Sequence, residues 1–197
     1  MASAPSQPAC VESCKVLVLV ADGTEEIEAV SIIDTLRRAE IEVSVASVSE
    51  SLSVRCSRGV VIVADALLSD EKESLATYDA IAIPGGMPGA SAIADTEGMK
   101  ELLEGFKMRS RWISAICAAP SVVLAAHGIL TADTPATCFP ADKFRRTLPN
   151  RTQAELRVVV DSKHRIMTSQ GPGTAIEFAL ALAEQLVGSS RAESVRS

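Results

Sequence analysis

The chain contains few aromatic residues and only two histidines. Aromatic residues make up 3% of its 197 residues while 47% are hydrophobic, so the core must be built from Val, Ile, Leu and Ala. No run approaches the roughly 18 apolar residues of a transmembrane helix, so no membrane partner is expected. The first eight residues lack the basic start and apolar run of a secretory signal, and we therefore expect a cytoplasmic protein.

Basic residues are outnumbered by acidic ones, 19 to 25, giving a net charge of −6. A nucleic-acid partner is not expected, because phosphate binding needs a basic patch. Cysteine occurs five times at irregular spacings, which fits neither a disulfide framework nor a zinc site. The sequence therefore predicts a reducing compartment and no metal. The cysteines are Cys10, Cys14, Cys56, Cys117 and Cys138.

Short apolar runs alternate with helical patterns along the chain, which predicts a mostly parallel sheet sandwiched by helices. We expect one domain over residues 14–188, a flexible tail over 1–13 and a polar tail over 189–197. The predicted strands cover residues 16–21, 41–46, 60–63, 78–84, 112–116, 156–160 and 165–168, and the later predicted helices cover residues 96–107 and 173–186.

The first helix is predicted from its start signal and its periodicity. Thr24 is the candidate N-cap, and Ile27, Val30, Ile33 and Leu36 recur at helical spacing to form an apolar arc.

The segment around Cys117 is the strongest chemical signal. A buried strand over 112–116 leads directly to this cysteine, and an alanine-rich helical segment follows it. The sulfur is thus expected at a sharp strand-to-helix turn, where unpaired N–H groups and the helix dipole favour an anion. We expect a thiolate with a pKa well below the usual value of about 8.5. The alternative is a small buried apolar side chain without chemistry.

Three strand ends are expected to surround one crevice, because the carboxyl ends of parallel strands meet at one edge of a sheet. They are Asp22–Thr24, Pro84–Gly86 and Cys117 with Ala118. The N–H groups of Gly86 and Ala118 are candidates for an oxyanion hole beside the sulfur.

Glu28 is the candidate acid of this crevice. It lies one turn into the first helix, where partial burial would raise its pKa and let it donate a hydrogen bond to the thiolate. A solvated glutamate is the alternative. A Cys–His dyad is not expected, because His127 lies ten residues beyond Cys117 and His164 lies in a predicted turn.

Five segments together resemble the ThiJ/PfpI superfamily, and within it the branch of the parkinsonism-associated protein deglycase and its bacterial relatives. The resemblance implies a flavodoxin-like three-layer α/β/α sandwich with a nucleophile elbow, a homodimer and no cofactor. The matching segments are Asp22–Glu28 (DGTEEIE), Cys56–Arg58 (CSR), Pro84–Gly86 (PGG), Ala115–Pro120 (AICAAP) and Ser169–Thr174 (SQGPGT).

The resemblance also implies roles for individual residues. Cys117 matches an oxidation-prone nucleophile, Glu28 matches the protonated glutamate that hydrogen-bonds it, and Gly86 and Ala118 match the backbone donors beside the sulfur. These four residues are the candidate catalytic set.

Two arginines match the family pattern, and two other residues depart from it. Arg38 and Arg58 match arginines near the dimer interface and the site, and are candidate anion-binding residues. Ala118 replaces the histidine that follows the cysteine in PfpI-type peptidases, so no peptidase activity is expected. Phe139 stands where the animal deglycases carry a histidine, as in bacterial relatives.

Two functions follow from the resemblance. The first is a cofactor-independent glyoxalase, without need of glutathione, or a deglycase, acting on methylglyoxal, glyoxal or their adducts with amines or thiols. The second is a redox sensor or redox-regulated chaperone that protects against oxidative stress, in which Cys117 is oxidised to sulfenic and then sulfinic acid.

Overall fold

The computed structural model describes residues 14–196, so the predicted tail over 1–13, with Cys10, lies outside the described residues. Its strands are β1 (Lys15–Val20), β2 (Glu42–Ser47), β3 (Ser53–Arg55), β4 (Val61–Val63), β5 (Ala66–Leu67), β6 (Ala80–Ile83), β7 (Trp112–Ile116), β8 (Val158–Asp161) and β9 (Ile166–Ser169). Its α-helices are α1 (Glu26–Arg38), α2 (Gly89–Ala94), α3 (Met99–Met108), α4 (Asp142–Arg145), α5 (Ala175–Val187) and α6 (Ser189–Arg196), and a short π-helix covers Pro120–Ala125.

Seven strands form one sheet in the order β5-β2-β1-β6-β7-β9-β8, parallel except for the β8–β9 pair. The order reverses between β1 and β6, and right-handed crossovers then place the helices on opposite faces. Accordingly α1 packs against α5, while α2 packs against the π-helix. The predicted α/β/α sandwich with a mostly parallel sheet is confirmed.

The central strands are apolar on both faces because helices cover both faces. Every residue from Val16 to Val20 and from Ala80 to Ile83 is fully buried. The β7 strand coincides with the predicted 112–116, and β1 and β2 each begin within one residue of their predicted starts. The sequence analysis missed the short strands β3 and β5, which carry too few residues to show a pattern.

Helix α1 begins one residue later than predicted. Glu25 is its N-cap, since its Oε2 accepts a hydrogen bond of 2.8 Å from the Glu28 N–H. The hydroxyl of Thr24 instead accepts from the Ala21 N–H at 2.9 Å, closing the turn after β1.

Only part of the predicted apolar arc of α1 faces the core. Ala29, Ile32 and Leu36 are fully buried, whereas Ile27 is 55% exposed and Val30 is 48% exposed. The helix carries two overlapping apolar stripes, and spacing alone does not select the one that meets the sheet.

The predicted polar tail over 189–197 forms a helix in its described part. Residues Ser189–Arg196 form α6, which packs against α5 and buries Ala192 to 3% exposure. The segment is mostly polar, but Ala192 is buried and Val195 also packs against the core. None of the helices within 14–196 is long and apolar enough to cross a membrane.

Candidate active site

Cys117 occupies a strained turn directly after β7. Its φ of +65° lies in the left-handed region, which costs a non-glycine residue about 1–3 kcal/mol. Two backbone hydrogen bonds hold the turn: the Cys117 N–H donates to Ser169 O at 2.9 Å, and Cys117 O accepts from the Phe139 N–H at 2.7 Å. The strand therefore delivers the sulfur to the carboxyl edge of the sheet as an elbow.

The backbone of Gly85 lies between Cys117 and Glu28. Its N–H donates to Glu28 Oε2 at 2.7 Å. A Cβ atom at Gly85 would lie 2.6 Å from Cys117 Cβ and 2.9 Å from Glu28 Oε2, so only a glycine allows this approach. The next residue, Gly86, has φ +88°, and a side chain there would collide with the backbone of the loop after β1.

Glu28 is fully buried. Burial raises the pKa of its carboxyl from 4.5 to about 7, against the opposing effects of the Gly85 N–H and the Cys117 thiol. Its Oε1 finds no hydrogen-bond partner of normal geometry among the described residues. The predicted rise in pKa is confirmed, and the solvated alternative is wrong.

The prediction of a lowered pKa for Cys117 is wrong. Burial raises the pKa of this thiol to about 12, and the neighbouring Glu28 carboxylate adds to the rise. The N–H groups of Gly86 and Ala118 act in the opposite direction but are outweighed. The sequence indicated the N–H donors, which lower the thiol pKa, but not the desolvation of Cys117, which raises it. Cys117 is only 9% exposed.

Among the described residues, the two candidate arginines form no hydrogen bond or ion pair with Cys117 or Glu28. Arg38 is ten residues beyond Glu28 on α1, about 15 Å along the axis, and its Nε donates to Asp34 at 2.7 Å. The Arg58 N–H donates to the buried Glu26 at 2.7 Å, and its guanidinium to Ser57 O at 3.2 Å.

Neither histidine reaches Cys117. His127 Nε2 lies 3.0 Å from Ala94 O, and His164 Nδ1 lies 2.6 Å from Asp161 Oδ2. His164 lies in the turn between β8 and β9 and is half-buried. Within residues 14–196 no group of three or more His, Cys, Asp or Glu side chains is arranged to hold a metal ion.

Two residues of the site were given no role by the sequence analysis. Gly171 is buried, and a carbon attached to its Cα would lie 3.5 Å from the Phe139 ring and 3.9 Å from Glu28 Oε1. Phe139 is 38% exposed, and its ring packs edge-on against Phe144 with centroids 6.1 Å apart. Gly171 lies within the motif Ser169–Thr174, which was the only sequence signal for it.

The chain is similar in sequence and in fold to known proteins. Residues 14–185 match the sequence model of the DJ-1/PfpI family. The chain is 43% identical to Protein DJ-1 homolog B of Arabidopsis thaliana over 88% of this chain and 38% of that protein, so it spans less than half of that relative. It is 38% identical to Glutathione-independent glyoxalase DJR-1.2 of Caenorhabditis elegans, covering 91% of each. The solved structure of oxidized Toxoplasma gondii DJ-1 is similar with a TM-score of 0.86 and 48% identity, covering 93% of this chain and 96% of that one.

The raised pKa of Glu28 predicts a pH-dependent difference in stability. In the unfolded chain this carboxyl ionises near 4.5, but in the folded protein only near 7, so its favourable effect on folding is complete below 4.5 and is lost as the pH rises through 7. We expect wild type to lose about 3 kcal/mol relative to Glu28→Gln between pH 4.5 and 8. Urea unfolding at fixed protein concentration measures this difference.

The exposed Glu50→Gln variant controls for the loss of a surface carboxyl. A Glu28→Gln difference that stays constant with pH, or runs in the opposite direction, contradicts the assignment.

Proposed function

Because the chain belongs to the DJ-1/PfpI family, we propose that it is a cofactor-independent glyoxalase that needs no glutathione and acts on small dicarbonyls such as methylglyoxal and glyoxal. The observation that carries the proposal is the buried Glu28 carboxyl, with its pKa near 7, beside the cysteine of the elbow. The same chemistry on adducts of these dicarbonyls with amines or thiols makes the protein a deglycase.

Glu28 first acts on the thiol. Its carboxylate takes the Cys117 proton, which removes the negative charge that opposes thiolate formation. The sulfur then forms a bond to the aldehyde carbon of methylglyoxal, and the aldehyde oxygen becomes an alkoxide. The N–H groups of Gly86 and Ala118, which already lower the pKa of the thiol, stabilise this oxygen. The alkoxide takes the proton back from Glu28 to give a hemithioacetal.

Glu28 then moves a second proton. Its carboxylate removes the proton from the former aldehyde carbon to give an enediolate. The hydroxyl proton then passes from the oxygen of the first carbon to that of the second, which gives the enediol and then the alcohol, and Glu28 returns its own proton to the neighbouring carbon. The first carbon is thereby oxidised to a thioester and the second is reduced to an alcohol, so no external oxidant or reductant is consumed. Water cleaves the sulfur–carbon bond and releases lactate. A carboxyl with a pKa near 7 is suited to both transfers at neutral pH.

Lactate formation from methylglyoxal tests this proposal. We expect no measurable product from Cys117→Ser, which lacks the thiol. In Glu28→Gln we expect kcat to fall about 100-fold or more, because an amide cannot exchange the proton.

Cys14→Ser is the matched control, since this half-buried cysteine lies before β1, at the opposite end of the sheet from the elbow. Equal lactate production by wild type and both site variants rejects the mechanism.

A redox-sensing role is the second candidate, and the surroundings of the sulfur favour it. Peroxide oxidises a thiolate to a sulfenic acid and then to a sulfinic acid. The N–H groups of Gly86 and Ala118 and a protonated Glu28 carboxyl are hydrogen-bond donors for the added oxygen atoms. In this role oxidation of Cys117 would alter assembly or the binding of client proteins.

Mild peroxide treatment followed by mass spectrometry tests this second role. We expect two oxygen atoms to be added at Cys117 before any other cysteine of the described chain, and Glu28→Gln to change how much sulfinic acid accumulates. Preferential oxidation of Cys14, or a modified Cys117 that leaves assembly and client binding unchanged, argues against a sensor.

An exposed apolar surface supports a homodimer. Ile27 and Val30 of α1 point outward, and Val30 lines one groove together with Val63 of the β3–β4 hairpin. Val61 and Val63 are 49% and 70% exposed. Contiguous exposed apolar residues of this kind mark protein interfaces, and we assign this surface to a second copy of the chain.

Sedimentation of Val30→Glu tests the dimer. A buried charge without a partner is strongly unfavourable, so we expect wild type to sediment as a dimer and the variant as a monomer. Met108→Glu, at a position on α3 that is 81% exposed, is the control and stays dimeric. A monomeric wild type, or a dimeric Val30→Glu, excludes this interface.

A further inference from the structure

The segment Ser169–Thr174 begins at the end of β9 and passes beside both Cys117 and Glu28. Ser169 O accepts the Cys117 N–H at 2.9 Å, directly beyond the ladder between β7 and β9. Further along, a Cβ atom at Gly171 would lie 3.9 Å from Glu28 Oε1. The positions of the cysteine and the acid therefore depend on how firmly this segment is held.

Two buried hydroxyl groups hold the segment from inside. Ser169 is fully buried, Thr174 is 4% exposed, and their side-chain oxygen atoms lie 2.6 Å apart. Ser169 Oγ donates to Arg157 O at 2.8 Å, which uses its single proton. Thr174 Oγ1 is therefore the donor in the bond between the two hydroxyls, and it shares this proton with Gly171 O at 2.9 Å.

The hydroxyl of Thr174 also accepts the buried Gly171 N–H, at 3.1 Å. A directed chain of hydrogen bonds thus runs from the Gly171 N–H through Thr174 Oγ1 and Ser169 Oγ to Arg157 O. The chain joins the backbone beside Glu28 to the residue whose carbonyl accepts the Cys117 N–H.

Thr174 does not use its hydroxyl for the helix that follows it. It is the N-cap residue of α5, a position where threonine is favoured because its oxygen can accept an N–H of the first turn. Its side chain makes no such bond to α5. Removing the hydroxyl therefore costs α5 no cap, but leaves the buried Gly171 N–H without its acceptor.

We infer that Ser169 and Thr174 are positioning residues for Cys117, because their hydroxyl chain keeps Ser169 O at the Cys117 N–H and the Gly171 backbone against Glu28. Cys117 needs this support, since its φ of +65° persists only where the surrounding backbone is fixed. The inference rests on the proposed proton transfer from Cys117 to Glu28 and deepens it. It applies to the glyoxalase and to the redox sensor alike.

Alkylation of Cys117 by iodoacetamide, followed by mass spectrometry, tests the inference without turnover of any substrate. Thr174→Val replaces the hydroxyl by a methyl group. We expect the alkylation rate at pH 7 to fall about tenfold, because the sulfur is displaced from Glu28. Thr174→Ser keeps the hydroxyl and restores most of the rate. The matched control is Thr134→Val, at a residue that is 1% exposed and whose hydroxyl lies 3.0 Å from that of Thr131, and it keeps the wild-type rate.

The same substitution in a Glu28→Gln background separates positioning from a general loosening of the fold. Without the base there is no proton acceptor to be misplaced, so we expect Thr174→Val to change the rate by less than about twofold there. An unchanged or faster rate in Thr174→Val, or the same factor in both backgrounds, overturns the inference. If Glu28→Gln alone keeps the wild-type rate, the proton transfer is rejected and the inference falls with it.

Ser169→Ala covers the case in which Thr174→Val does not fold, and we expect the same loss of rate from it. Its control is Ser114→Ala, which removes a buried hydroxyl of β7 that donates to Ile81 O at 2.8 Å. A wild-type rate in Ser169→Ala, with lactate still formed by wild type, overturns the positioning role and leaves the glyoxalase intact. The expected losses in a wild type that forms no lactate overturn the glyoxalase and leave the positioning role intact.

Discussion

The approach of the Gly85 backbone to Cys117 and Glu28 is the constraint on which the site depends. A side chain at Gly85 would overlap both residues. The acid and the cysteine can therefore lie on either side of this backbone only because Gly85 has no side chain. The Gly85 N–H fixes one carboxylate oxygen, and the surrounding protein removes water from both groups. Desolvation then raises the pKa of each, and places the carboxyl near 7, where it can both accept and donate a proton.

The sheet makes this unfavourable arrangement possible. A buried acid and a cysteine with positive φ both oppose folding, and they persist only where rigid elements over-determine the backbone. Strands β1, β6 and β7 end side by side at the reversal of strand order, and their residues are almost completely buried. The loops that follow them therefore have little freedom. The hydrogen bond from the Phe139 N–H to Cys117 O ties a fourth segment to the same point.

Helix α1 connects the site to the outer surface of the molecule. Its inner side carries Glu28 to the elbow, and its outer side carries Ile27 and Val30. A second copy of the chain seated on that outer side would limit the motion of the helix and so the position of the carboxyl. The proposed assembly and the proposed chemistry would thus use different faces of the same 13-residue helix.

The sequence by itself determined the alternation of strands and helices, the position of Cys117 directly after a buried strand, and the nearness of Glu28 to the same sheet edge. These features depend on local periodicity and on the geometry common to parallel sheets. Only the tertiary structure decided which stripe of α1 is buried and that the thiol pKa is raised rather than lowered. Desolvation is set by atoms from segments far apart in the chain, and no local pattern records it.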